Sequence, residues 1–235
     1  MIFIGTSGYN YAYWKTRFYP EKLPASKFLS YYSSQFNTVE LNSSFYRFPT
    51  IENLRKAADQ TPDDFRFSIK VHKIITHSRR LKDVADKIRE FMDIVREGLD
   101  NKLSCVLFQL PPSYGFSEER LDDVIRYLSN DPRNVVEFRH VSWWNIRAYQ
   151  ALEENRINFC SVSFPGLPDD IIATGNLIYL RMHGVPNLFS SSYSDEILAA
   201  LWAQIPPGKD AFIYFNNTMF EAGYNNARSL QDLAR

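Results

Sequence analysis

Eight short apolar segments recur along this chain, and most of them stop at a charged or amide side chain. In chain order they are Ile2–Gly5, Thr38–Asn42, Phe65–His72, Leu103–Leu110, Val135–Arg139, Ile157–Ser161, Leu177–His183 and Ala211–Asn217. Segments with helical spacing of apolar residues separate most of them. Short apolar runs that alternate with helices indicate parallel strands joined by crossover helices. Eight such units predict a TIM-like (β/α)8 barrel of the α/β class, whose active face is formed by the C-terminal strand ends.

The segments between the runs predict seven helices. These are Ser26–Phe36, Ile51–Thr61, Leu81–Leu99, Ser117–Ser129, Ile146–Asn155, Ser194–Ile205 and Asn225–Leu233. The connection Phe164–Asn176 is short and contains Pro165, Gly166 and Pro168, so we expect a turn there instead of a helix. No linker is long enough to separate two units, and the 235 residues are therefore predicted to form a single barrel domain, 1–235.

Composition limits the function classes. The chain has 27 basic and 27 acidic residues, so no overall field attracts nucleic acid or an anionic membrane. Its longest apolar runs are about eight residues, whereas a membrane-spanning helix needs about 20. The opening MIFIGTSG resembles a strand more than a signal peptide. Cys105 and Cys160 lie in predicted strands and are expected to be buried free thiols, so we predict a cytoplasmic protein.

Strand alternation predicts which polar side chains point into the barrel. The outer face of each strand must pack on helices and be apolar, so the polar face points inward. Nine polar residues meet this criterion: Glu40, Asn42, Lys70, Gln109, Glu137, Arg139, Arg181, His183 and Asn216. A buried unpaired charge costs several kcal/mol. The set is therefore either a ligand site, which we favour, or a self-satisfied network with pairs such as Glu40–Lys70 and Glu137–Arg139 or Glu137–Arg181.

The three cations suit an anionic ligand, because Arg binds carboxylate or phosphate bidentately and Lys adds a point charge. We expect Lys70, Arg139 and Arg181 to contact the substrate. Four amides are expected to orient its polar groups: Asn42, Gln109, Asn216 and Asn217. Arg181 in particular is predicted to be a solvated clamp for the anion, the alternative being that it is the partner of Glu137.

Acid–base chemistry is predicted for Glu40, Glu137 and His183, since carboxylates serve as general bases and imidazole exchanges protons near neutral pH. Metal binding is not predicted. The histidines are His72, His77, His140 and His183, and only His72 and His183 fall at inward-facing strand ends, without an HxH, HExxH or DxD pair. No P-loop, dinucleotide fingerprint or GxSxG elbow is present, so we expect no cofactor.

Ordered motifs along nearly the whole chain resemble the DUF72 (YecE-like) family. They are Gly5–Tyr9 with Trp14 and Phe18–Pro20, Phe36–Asn42 with Phe45–Arg47, Phe108–Pro112, Val136–His140 with Trp143, Arg181–Gly184, Tyr214–Asn217 and Asn226–Ala227. The resemblance implies a TIM-like barrel and says little about activity. Endonuclease IV-type and sugar isomerase-type barrels are similar to this family, but they use several metal-ligating histidines and carboxylates, which argues against transferring their chemistry.

Three functional hypotheses follow. The first is an enzyme or binding protein for an anionic small molecule, such as a sugar phosphate or nucleotide, that works without a tightly bound metal. The second is a nucleic-acid or nucleotide binding module that stacks bases on aromatic side chains. Its candidate aromatics are Tyr9, Trp14, Tyr46, Trp143 and Tyr193, of which Tyr46 is also a predicted substrate contact. A metal-dependent nuclease ranks third. A steep salt dependence of oligonucleotide affinity would favour the second hypothesis.

Overall fold

The computed structural model describes residues 1–234, in which eight parallel strands alternate with seven helices. The strands are β1 (Ile2–Thr6), β2 (Thr38–Leu41), β3 (Arg66–Lys70), β4 (Leu103–Gln109), β5 (Asn134–Glu137), β6 (Asn158–Ser163), β7 (Leu177–Met182) and β8 (Asp210–Phe215). The helices are α1 (Phe28–Ser33), α2 (Ile51–Asp59), α3 (Ala85–Leu99), α4 (Glu118–Leu128), α5 (Ile146–Glu154), α6 (Asp195–Ala203) and α7 (Ala222–Leu233). All of them belong to one nearly closed barrel, which confirms the predicted fold class.

Side-chain caps fix where four of the helices begin. Thr50, Ser117, Asn145 and Ser194 each accept a hydrogen bond from the backbone N–H three residues later. Such a cap satisfies one of the unpaired donors at a helix N-terminus. The helices therefore start at defined positions after the loops that follow the C-terminal strand ends, which form the mouth of the barrel.

Helix α3 begins later than its apolar pattern predicts. The pattern starts at Leu81, but Arg80, Leu81 and Asp83 have φ values of 50°, 62° and 51°. A right-handed helix cannot pass through these left-handed conformations. The helix therefore starts at Ala85, although Leu81 is still buried in the core.

The predicted turn between β6 and β7 is confirmed. Polar side chains hold this connection against the barrel in place of a helix. Ser161 Oγ accepts from the Ile172 N–H at 2.8 Å, and Thr174 Oγ1 accepts from the Phe159 N–H at 3.0 Å. Thr174 also donates to the Ile157 carbonyl at 2.6 Å. These bonds satisfy backbone groups that a crossover helix would otherwise cover.

The sheet runs in the order β1-β8-β7-β6-β5-β4-β3-β2, with a parallel ladder between each neighbouring pair. Side chains close the seam between β1 and β2. Asn37 accepts from the Ile4 N–H at 3.0 Å and donates to the Ile2 carbonyl at 2.8 Å. The Tyr32 hydroxyl accepts from the Thr6 N–H at 2.8 Å. Two backbone donors of β1 are thus satisfied by side chains instead of by a neighbouring strand.

Gly5 allows the two strands to approach each other at this seam. A Cβ atom on Gly5 would lie 2.1 Å from the Thr38 carbonyl oxygen and 2.8 Å from the Tyr32 hydroxyl. A non-hydrogen atom cannot occupy that space without moving β2 backbone. Glycine is therefore required here for close packing, not for an unusual backbone angle.

The apolar core has two parts. The larger lies between the strands and the surrounding helices. The smaller fills the barrel and consists of Phe3, Cys105, Leu107, Val135, Cys160, Val162, Tyr179, Phe212 and Tyr214. Both cysteines are buried free thiols, as predicted. Neutral hydroxyls complete this interior, because Tyr214 OH lies 2.6 Å from Thr38 Oγ1 and 2.7 Å from Ser68 Oγ.

Candidate functional site

Above this neutral interior lies a layer of four charged side chains and one neutral histidine, which we call the ionic layer: Glu40, Glu137, Arg139, Arg181 and His183. Arg181 lies at its centre and is only 1% exposed. It donates to Glu40 Oε1 from Nε and Nη2, at 3.2 and 2.8 Å, and to Glu137 Oε2 from Nη1 at 2.6 Å. One guanidinium therefore bridges carboxylates from opposite sides of the barrel.

The remaining carboxylate oxygens also have partners. Tyr179 OH donates to Glu40 Oε2 at 2.6 Å, and Arg139 Nε donates to Glu137 Oε1. Because Arg139 and Arg181 flank Glu137, its pKa is held well below the usual value even though burial alone would raise it. Both carboxylates are fully buried, and within this layer two arginines balance them.

The ionic layer shows which of the ion pairs considered from the sequence form. The Glu137–Arg139 and Glu137–Arg181 pairs both form, whereas the expected Glu40–Lys70 pair does not, because Arg181 occupies Glu40. The expectation that Arg181 is a solvated clamp was wrong for the same reason. Its guanidinium is buried and bonded to two carboxylates, as the alternative interpretation required.

His183 is neutral at physiological pH. Burial lowers its pKa to about 3, and the positive charge of Arg181 adds to the effect. Its Nε2 lies 3.1 Å from Arg139 Nη2, and its Nδ1 lies 2.8 Å from the Asn216 amide. Arg139 Nη2 and the Asn216 amide nitrogen, Nδ2, are both donors, and a neutral imidazole has one unprotonated nitrogen with which to accept from one of them. The expected proton exchange by His183 near neutral pH is therefore not supported by its environment.

An open cavity of about 310 Å³ lies above the ionic layer at the C-terminal strand ends. We call it the mouth cavity. Its lining residues are Asn42, Phe45, Tyr46, Lys70, Gln109, Pro112, Arg139, Arg181, Phe189 and Asn216. Seven of these ten are residues predicted from the sequence to contact a substrate. Strands β2, β5 and β8 end one or two residues earlier than predicted, so Asn42, Arg139 and Asn216 lie just beyond them.

Lys70 is the cation of the mouth cavity that no described carboxylate pairs with. Its Nζ donates to Gln109 Oε1 at 2.7 Å and lies 4.1 Å from the centre of the Phe45 ring. Burial, reinforced by the charge of Arg181, lowers the pKa of Lys70 to about 7. In residues 1–234 the acidic groups of this region are already bonded to the two arginines and Tyr179.

Asn42 and Tyr46 connect the mouth cavity to a second cavity of about 350 Å³. Its other lining residues are Gly8, Tyr9, Asn10, Tyr11, Leu41 and Ser43. The Asn42 side-chain oxygen is buried and has no hydrogen-bond partner among the described residues. An unpartnered buried carbonyl costs about 1–3 kcal/mol, so a ligand donor at this point would be stabilised.

Several predicted aromatic contacts belong to the core instead. Trp14, Trp143 and Tyr193 are buried, and Tyr9 is only partly accessible. Tyr46 is 72% exposed at the rim, where Lys73 Nζ lies 6.0 Å from its ring. The buried aromatics cannot stack on a nucleic-acid base without unfolding their surroundings.

Asn217 does not line either cavity and was misassigned as a substrate contact. It is fully buried and donates to the Ser191 carbonyl at 2.8 Å and to Asn226 Oδ1 at 2.9 Å. His72 also faces away from the site, since its ring packs against Phe48 with centroids 4.7 Å apart. Asn217 lies on the face opposite Asn216, as alternation requires, and was assigned with it because both are amides. For His72, β3 already ends at Lys70, so alternation no longer fixes its direction.

Three lining residues were not predicted: Phe45, Pro112 and Phe189. They lie in the loops after β2, β4 and β7, whose paths cannot be derived from strand alternation. The first two do follow predicted strand ends within a few residues, and that position is the signal by which they could have been found.

Within residues 1–234, no group of three or more His, Cys, Asp or Glu side chains is arranged to hold a metal ion. None of the helices in that range is both long and apolar enough to cross a bilayer.

The fold and the polar mouth define a parallel eight-stranded barrel protein with a polar cavity at its C-terminal face. The family model described as "Protein of unknown function DUF72" matches residues 3–235, and the chain belongs to this family. A DUF72 family protein from Thermotoga maritima has the same fold, with a TM-score of 0.88 and 27% identity over 100% of this chain and 99% of that one. One from Enterococcus faecalis, at 20% identity, has a TM-score of 0.82 over 99% and 95% of the two chains.

Two curated relatives are similar in sequence. UPF0759 protein YunF of Bacillus subtilis is 32% identical over 64% of this chain and 55% of its own length. UPF0759 protein YecE of Escherichia coli is 32% identical over 48% of this chain and 41% of its own length. The matched part of the chain therefore spans about half the length of these relatives.

Proposed function

We propose that the mouth cavity binds a small molecule that carries a carboxylate or phosphate group. The observation that carries this proposal is Lys70, a mostly buried cation with no described carboxylate partner. Counting Lys70 with the two arginines and two glutamates below it, the site holds one excess positive charge when Lys70 is protonated. A monoanionic group in the cavity would balance that charge.

The other groups of the cavity supply directional contacts. Arg139 uses Nε and Nη2 within the ionic layer, which leaves Nη1 for a ligand. Gln109, Asn42 and Asn216 add amides around the same volume. A cavity of about 310 Å³ is at the lower end of the usual range for small-molecule sites, roughly 300–1,000 Å³.

Acid–base chemistry, if the site performs it, falls to Lys70 in this proposal. Glu40, Glu137 and His183 have a positioning role, because their bonds orient Arg139 and Arg181. Each of the three is fully buried, and His183 has its pKa far from neutrality. Lys70, with a pKa of about 7, gains and loses a proton at neutral pH and contacts the cavity directly.

Calorimetric titration with inorganic phosphate and with acetate tests the proposal. Lys70→Met should weaken binding at least ten-fold, about 1.4 kcal/mol. Affinity should fall as pH rises through about 7, because Lys70 loses its charge there. Lys73→Met is the matched control, since Lys73 is exposed outside the cavity and its loss should change nothing. Equal affinities of wild type and Lys70→Met would refute the proposal.

A nucleotide or single-stranded nucleic acid is the second candidate. It is favoured by exposed Tyr46, which borders both cavities and offers one ring for stacking beside Lys73. Oligonucleotide affinity that falls steeply with salt would support this candidate over the small anion.

A further inference from the structure

Lys70 differs from the other cations of the site in what surrounds its nitrogen. Arg139 and Arg181 bind carboxylates, whereas Lys70 Nζ contacts an amide oxygen, an aromatic face and the open cavity. The charged and titratable groups around it come from several elements. They are Glu40 on β2, Glu137 at the end of β5, Arg139 two residues later, Arg181 on β7, and His77, whose ring packs against Phe45.

This environment favours the neutral amine. Two arginines nearby repel a third positive charge, and burial removes the water that would stabilise it. Gln109 Oε1 accepts one N–H of the amine and thereby fixes its orientation. A lysine that is desolvated beside other cations is activated as a nucleophile toward carbonyl carbon.

We propose that Lys70 is a nucleophile that forms an imine with a carbonyl compound bearing a carboxylate or phosphate group, such as an oxo acid. The inference rests on the proposed function for the anionic half of this ligand. Nη1 of Arg139 and the Asn42 and Asn216 amides are placed to hold that half, while Lys70 Nζ meets the carbonyl. The class of ligand is therefore narrower than an anion in general.

The reaction is balanced without any further reagent. The neutral amine adds to the carbonyl carbon and gives a carbinolamine. The oxygen receives one proton of the amine in the addition step and the second when the carbinolamine breaks down, either directly or by exchange with solvent. It then leaves as water, and a C=N bond forms. Protonation of this imine gives an iminium with one positive charge, which cancels the negative charge of a monoanionic ligand. The net charge of the site is then the same as with a neutral Lys70 amine and no ligand.

Glyoxylate with cyanoborohydride is a suitable probe, because the hydride reduces the iminium and fixes one carboxymethyl group on the nitrogen. Wild-type protein would be treated briefly at pH 7 and digested, and the lysine peptides compared by mass. An ordinary lysine is almost fully protonated at that pH, since its pKa is about 10.4. We expect Lys70 to be labelled at least ten-fold faster than exposed Lys73, which serves as the internal control in the same chain.

Lys70→Arg keeps a positive charge and removes the nucleophile. Its intact mass should show no fast labelling, while a Lys73→Arg variant should be labelled like wild type. Labelling of Lys70 no faster than Lys73 in the wild-type chain would overturn the inference. Acetate binding, measured on the same samples, separates the two proposals: acetate bound without fast labelling sinks only the imine, whereas no acetate binding sinks the proposed function as well.

Discussion

Arg181 and Lys70 are both inward-pointing cations near the C-terminal ends of barrel strands, yet they belong to regions of opposite character. In the ionic layer, Arg181 has carboxylate partners on two sides and almost no exposure. In the mouth cavity, Lys70 has no carboxylate partner among the described residues. The difference shows that residue type does not separate a structural charge from a functional one. The presence or absence of a carboxylate partner separates the two.

The largest effect should come from breaking the ionic layer. Arg181→Met leaves buried Glu40 without a cation and Glu137 with Arg139 alone, and should lower the free energy of unfolding by about 3–5 kcal/mol. Lys70→Met, the matched change in the mouth cavity, should cost nothing or stabilise the fold. Chemical denaturation of both variants measures the contrast. Similar losses in the two variants would remove the distinction between the regions.

The second-largest effect should come from acid, which weakens the ionic layer. The unfolded chain protonates its histidines near pH 6.5, whereas folded His183 resists protonation down to about pH 3. Between these values the unfolded state binds more protons, so stability is lost as pH falls. By pH 4.5 the loss from His183 should be about 2–3 kcal/mol.

His183→Gln should flatten that slope, since Gln can accept from Arg139 and does not titrate. His77 also contributes to the loss of stability in acid, because burial lowers its pKa to about 4. His77→Gln is therefore the variant to compare with His183→Gln. Thermal or urea unfolding from pH 7 to pH 4.5 gives the comparison. If the slope is unchanged in His183→Gln, folded His183 is not held neutral.

Neighbouring asparagines sharpen the boundary of the cavity. Asn217→Ala removes the side-chain donor of the Ser191 carbonyl and one of the donors of Asn226 Oδ1, and should cost about 1–2 kcal/mol of stability, with phosphate affinity intact. Asn216→Ala should do the reverse and weaken phosphate binding more than folding. Calorimetry and denaturation on both variants decide the assignment, and a binding defect confined to Asn217→Ala would contradict it.

Tyr46→Ala should have the smallest effect on the fold, below about 0.5 kcal/mol, because its ring is mostly exposed. Phosphate affinity should also stay near the wild-type value. Fluorescence titration with a short oligonucleotide shows whether the ring stacks on bases: a loss of affinity there, with phosphate binding intact, would shift the balance toward the second candidate function.

The eight apolar runs separated by helical segments were sufficient to predict the barrel. Strand alternation then predicted most of the residues that line the mouth cavity, because side chains alternate between the two faces of a strand. It did not predict pairing. Whether Glu40 meets Lys70 or Arg181 depends on how strands on opposite sides of the barrel face each other, and that information is not local. Alternation places Asn217 on the face opposite Asn216, so its assignment as a substrate contact rested on its amide alone, and only Asn216 faces the cavity.

The seam between β1 and β2 has a consequence for solubility. Every other strand boundary is a ladder of backbone bonds that no single substitution removes, but this one has a single backbone bridge, Ser7 to Glu40, and otherwise depends on the side chains of Asn37 and Tyr32. Loss of Asn37 would free the Ile4 N–H and loss of Tyr32 the Thr6 N–H, and either would widen the gap in the nearly closed barrel into an open sheet edge. An open edge pairs readily with other chains. We therefore expect two side chains outside the site, those of Asn37 and Tyr32, to limit self-association of the protein.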